Sequence, residues 1–112
     1  MSVPRLGVPL VLEAPLASPD GKGGQAKVWQ ALGTLWADLV AGAGREVVRE
    51  ALPEGAVVWR ITVRAAPVGA PSRPRAGQRF RLGLRLFPIL AVAETGPEGR
   101  YLVCHAREEE PA

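Results

Sequence analysis

One thiol and one imidazole stand side by side at Cys104 and His105, and they are the residue types from which a nucleophile and its base could be made. Both fall in RYLVCHAR, residues 100 to 107, whose alternation reads as a β-strand. Adjacent strand residues point to opposite faces, so this spacing keeps the sulfur and the ring apart. Cys104 is therefore expected to be a buried packing thiol, and His105 an exposed or hydrogen-bonded strand residue. The glycine clusters GKGG (21–24) and GAGR (42–45) resemble phosphate-binding loops only in composition. Neither follows a strand with the required Lys-Ser/Thr, so both read as turns. One cysteine and one histidine also exclude an internal disulfide and the usual zinc sets. The sequence thus predicts no enzyme, no metal and no cofactor.

Charge is the chemistry that remains. The net charge of +3 is unevenly spread: residues 1–54 sum to −1, residues 55–93 to +7 and residues 94–112 to −3. The middle block carries seven arginines and no acid. Arg60, Arg64 and Arg81 alternate with apolar residues, the pattern of a strand with one wet face. Arg73, Arg75 and Arg79 differ, because they sit in or beside APVGAPSRPRAGQ, a stretch without apolar rhythm. Arginine forks suit phosphates and carboxylates alike. Arg73, Arg75, Arg79 and Arg81 are therefore candidates for a DNA-facing or an inter-subunit surface, and Glu46 and Glu50 are candidate acids on a neighbouring copy. A solvated loop is the plain alternative.

The elements that must position these residues are short. Of 112 residues, 13 are Gly and 11 are Pro, which favours strands joined by many turns over a helical bundle. Residues 5–13 form a first strand in which Leu6, Val8, Leu10 and Leu12 share a face, with Pro9 marking an edge or bulge. Residues 18–24 form a turn. Residues 27–40 fit either a helix or a strand, and residues 45–52 read as a short helix closed by Pro53 and Gly55. Residues 57–65 form the clearest strand. Residues 78–93 give two strands about a tight turn at Gly83, and residues 100–107 give the last. The acidic end, residues 108–112, is expected to fray. Trp59, Ile61, Val63, Phe80, Leu82, Ile89 and Leu102 are the predicted core.

Length allows one domain, residues 1–112. No apolar run reaches the roughly 20 residues of a membrane-spanning helix, and the opening stretch lacks a secretory pattern, so a cytoplasmic chain is expected.

Taken in order, the residues resemble the head-tail joining (head-closure or stopper) proteins of tailed bacteriophages and of phage-derived gene-transfer particles. The resemblance rests on a first strand ending in Leu12, Glu13 and Pro15, an Asp20 to Gly24 turn, Val28 and Trp29, and the run Leu35, Trp36, Ala37. It continues through Gly44, Arg45 and Glu46, then Ile61 to Arg64, then Arg85, Phe87 and Ile89. It closes on Leu102, Val103, Cys104 and an acidic stretch. It covers about residues 5 to 109. The loop at 65–78 is richer in Pro and Arg than the family pattern, and the helix is shorter.

The resemblance implies an all-β fold, a small β-barrel or sandwich with one short helix inserted between strands, and so decides 27–40 as strand. It implies a structural role. Copies would form a ring of six or twelve beneath the portal-adaptor ring, close the DNA channel over packaged double-stranded DNA, and offer a platform to the tail terminator or tail tube. The protein would then be made in the bacterial cytoplasm and end in the neck of a particle, with no membrane partner. Glycine- and proline-rich segments at 41–44, 53–56 and 65–78 are candidates for moving loops at the rim of such a ring. A free-standing nucleic-acid-binding β-barrel, tracking phosphates with the Arg cluster, is the alternative.

Overall fold

Alternating apolar residues build six antiparallel strands, and the strands close on themselves in the order β1-β2-β3-β6-β5-β4. The computed structural model describes residues 3–19, 21–42 and 57–109. The strands are β1 (Val8–Pro19), β2 (Gln25–Ala41), β3 (Val58–Arg64), β4 (Arg79–Leu82), β5 (Arg85–Thr95) and β6 (Tyr101–Arg107). Closure through β1 and β4 leaves a barrel rather than the sandwich that the sequence also allowed. The stretch 27–40 is strand throughout, as the resemblance implies. The predicted helix at 45–52, with Glu46 and Glu50, lies outside the described residues, as do residues 110–112 of the acidic end.

Every strand sends one face inward. Leu10, Leu12, Ile61, Val63, Phe80, Phe87, Ile89, Leu102, Cys104 and Ala106 are buried together with Ala37. Two predicted core residues differ: Trp59 and Leu82 are only half-buried and pack against this cluster from its margin. For Trp59 the cause is a polar tip that needs a partner, and it finds one near the barrel rim, where Nε1 donates to Glu108 Oε1 at 2.9 Å. Leu82 is the last residue of β4, next to the exposed turn.

Two irregularities shape the barrel. Leu12 pairs with Gly33 and Glu13 with Ala31, so Leu32 is an extra residue on β2. Gly33, at φ 147°, supplies a backbone that other residues rarely adopt at this bulge. Ile89 pairs with Ala106 and Ala91 with His105, so Leu90 is extra on β5. Pro9 lies within β1 without breaking a ladder, because β4 pairs with β1 only at Val11, Leu12 and Glu13.

β1 runs six residues past the predicted end at Glu13, because β2 pairs with it all the way to Pro19↔Gln25. Beyond Glu13 and Ala31 these two strands have no third strand beside them, since β3 joins β2 only at Ala37 to Ala41. They project as a two-stranded arm. The antiparallel register sorts the connections into two ends. The arm tip, the loop 65–78 and the turn 96–100 lie at one end. The Gly83–Leu84 turn, Val57 and the Glu108–Glu109 exit lie at the other.

Candidate functional site: a basic loop and a projecting arm

The register opposes the two residues that could do covalent chemistry. Cys104 faces the core, and burial pushes its thiol up to about 12. His105 faces outward from β6. It is half-buried rather than exposed, and its Nδ1 is enclosed without a hydrogen-bond partner among the described residues, contrary to the sequence expectation. Burial, and then the Arg60 charge, hold its pKa below the usual value. Among the described residues no group of three His, Cys, Asp or Glu side chains is placed to hold a metal ion.

The four candidate arginines do different things. Arg79 Nε donates to Glu13 Oε1 at 2.7 Å, and Arg81 Nε donates to Glu13 Oε2 at 3.0 Å. The β1–β4 register produces this, because Glu13 lies opposite Arg79 with Arg81 two residues along the same outer face. Glu13 is buried under the two forks. Burial raises its pKa, but the Arg79 and Arg81 hydrogen bonds and charges together leave it below its ordinary value. The Arg79 guanidinium also lies 4.0 Å from the centre of the Trp29 ring, over the outer face of the arm. This clamp fastens the base of the arm to the barrel. Sequence reasoning missed Glu13 as the partner, since nothing local connects residues that far apart.

Arg73 ties its own loop together. Its Nη1 donates to the Ala66 carbonyl at 2.9 Å, and its Nη2 lies 3.6 Å from Glu94. The loop 65–78 is accordingly a set of turns, with Ala70 N bonded to Pro67 O and Arg73 N to Ala70 O. The buried Gln78 side chain accepts from the Arg75 backbone at 3.0 Å. The Arg75 side chain is exposed and makes no ion pair among the described residues. Of the cluster, Arg75 alone keeps its charge available to another molecule.

Arm and loop enclose a groove of about 270 Å³, with Ala14, Leu16 and Leu32 on the arm side and Pro71, Arg73 and Arg75 on the loop side. Its arm wall is the inward face of β1 and β2 continued past the barrel. Leu16 and its cross-strand partner Val28 would be core residues had the barrel extended this far, but they stand 47% and 49% exposed. At the opposite end Leu84 is 92% exposed at the tip of the β4–β5 turn, where Gly83 takes φ 61°. The surface therefore offers two distinct ends, each with apolar side chains in water, and in Arg75 an arginine without an ion pair among the described residues beside the groove. Such features suit contact with other macromolecules rather than turnover of a small substrate. No helix among the described residues is long and apolar enough to cross a membrane.

A family model described as phage head completion protein matches residues 1–109 of the sequence. A solved chain from the structure titled "Virion of native gene transfer agent (GTA) particle" is 50% identical. It superposes with a TM-score of 0.79, covering 98% of the present chain and 100% of its own. No curated protein is matched by the sequence.

Proposed function

The chain belongs to the phage head completion protein family, and from this we propose that it is a non-catalytic connector whose copies close into a ring between the portal-adaptor complex and the tail. The observation that carries the proposal is the likeness, at 50% identity over 98% of the chain, to a chain of a gene transfer agent virion. The geometry supports it in two ways. A barrel of this size cannot surround a DNA channel alone, whereas six or twelve identical copies joined through unlike patches can enclose one. The barrel also has two chemically different ends, as a part that must meet a head-side ring on one side and a tail-side ring on the other requires.

In this role Arg75 and the loop that carries it face either the packaged DNA or a neighbouring copy. Arg79 and Arg81 serve first as the arm's anchor through Glu13. Glu46 and Glu50 are further acids that a neighbour could present. The free-standing DNA-binding reading is weaker, because two of the three tryptophans it could stack with are engaged. Trp29 lies under Arg79 and Lys27, and Trp59 meets Phe87 edge-on at 6.1 Å.

Deleting the protein tests the role. Particles made without it should contain filled heads that leak DNA or fail to acquire tails, and plasmid-borne protein should restore them. Fully tailed, DNA-retaining particles from the deletion strain would refute the connector reading.

A further inference from the structure

The arm's inward face carries Leu16 and Val28, which stand about half exposed with no strand among the described residues packed over them. A two-stranded ribbon gains little stability alone, and stable ribbons bury a face against a third element. Here the outer face is secured by Trp29, Arg79 and Glu13, but on the inner face Leu16 opens into the groove that Arg75 also lines, with its cross-strand partner Val28 beside it. What fits there must be apolar, with an acid at its margin.

The barrel wall of this same chain carries such a surface. On the outer face of β2, Trp36, Asp38 and Val40 follow one another at alternate positions. Trp36 is 57% and Val40 49% exposed; Trp36 pairs with Pro9 of β1 and Val40 with Arg60 of β3. Asp38 makes no hydrogen bond or ion pair among the described residues, not even with Arg60, which lies diagonally across β3. An unpaired acid between two exposed apolar side chains complements an unpaired arginine beside two others.

The two patches cannot meet within one molecule. Val28 and Asp38 are ten residues apart on one continuous strand, about 33 Å at the usual rise per residue. We propose that the arm of one copy clasps the Trp36–Asp38–Val40 strip of the next, with Leu16 and Val28 against Trp36 and Val40 and Arg75 paired to Asp38. Because the patches differ, the contact is head-to-tail and propagates around a ring. This inference rests on the connector reading and assigns the surface that joins its subunits. It also gives the Arg-bearing loop a protein partner rather than DNA.

Cross-linking in assembled particles tests it. A chain carrying both Leu16→Cys and Val40→Cys leaves Arg75 and Asp38 in place, and Cys104 is buried and adds no background. Under mild oxidation the double variant should give a covalent ladder of dimers, trimers and higher multiples, while either single variant should give none. Arg75→Asp or Asp38→Arg, added to the cysteine pair, should each lower the ladder yield roughly tenfold, and the two together should restore it. Particles that are tailed and contain the double-cysteine protein, yet show only monomer, would overturn the contact and leave the connector role standing. If Arg75→Asp releases DNA without weakening the ladder, the Arg75–Asp38 pairing is overturned, since the arginine would then face phosphate. Failure of the role itself would show separately, as normal particles from the deletion strain.

Discussion

Glu13 and Arg79 are 66 residues apart in the chain and 2.7 Å apart in the barrel, with the Arg79 fork wedged between the carboxylate and the Trp29 ring. This pair closes the barrel between β1 and β4, the shortest strand, and it holds the arm at its root. Arg81 supplies the second oxygen's partner, so the buried carboxylate is satisfied on both sides. The closure is thus electrostatic on its outer surface and apolar within, where Leu12 faces Phe80.

Acid should weaken this closure. The folded-state pKa of Glu13 is held below the ordinary carboxylate value of 4.5, so its contribution is complete above that pH and is lost as pH falls through the lower folded value. Glu13→Gln should cost about 3 kcal/mol at neutral pH, because two arginines lose a buried partner. Thermal melts from pH 7 down to about pH 2.5, below the unperturbed carboxylate range, should show a smaller acid-induced fall in Tm for the variant than for the parent. Parallel curves would remove Glu13 as a source of the acid sensitivity.

Trp59 should matter through both packing and its N–H. Its ring packs edge-on against Phe87, and Glu108 joins it to Arg85, whose Nε donates at 2.9 Å. Trp59→Ala should lose about 3 kcal/mol in urea unfolding, and Trp59→Phe about 1 kcal/mol, the amount of one hydrogen bond. Equal losses would mean that the Glu108 contact is what counts and the ring is incidental.

Cys104 should be chemically silent in the folded protein. It is enclosed in the core and its pKa is pushed up to about 12, so neither access nor thiolate is available near neutral pH. A thiol reagent should label it only in denaturant, at one equivalent per chain. Rapid labelling of the native protein would contradict its placement.

Leu84 should be dispensable for folding and needed for assembly. It stands 92% exposed at a turn, where a large apolar side chain stabilises nothing in its own chain. Leu84→Ser should leave Tm within about 1 °C, the expectation for a surface change, while reducing the yield of tailed particles. An undiminished yield would show that this end of the barrel makes no contact through Leu84.

Much of the barrel was legible because strand alternation is a local property. Leu102, Cys104 and Ala106 had to share a face, Gly83 had to turn, and Ile61 and Val63 had to point inward whatever the remainder of the chain did. The excess of arginine in the middle of the sequence was equally plain. What each arginine does was not, because ion pairing across β1 and β4 depends on a register that exists only once the barrel closes. The sequence set Arg81 with the strand arginines and Arg79 with Arg73 and Arg75 of the loop, yet Arg79 and Arg81 both bind Glu13, Arg73 ties a loop, and Arg75 is left over. The arm shows the same division. Alternation predicted the strand before residues 18–24 and the resemblance decided the one after them, but the extra residue Leu32, the late start of β4 and the early end of β3 together decide that their outer portions stand beyond the barrel with apolar side chains in water. Side-chain period is set residue by residue, whereas strand length, register and exposure are set by the neighbours a strand finds, and those come from distant parts of the chain.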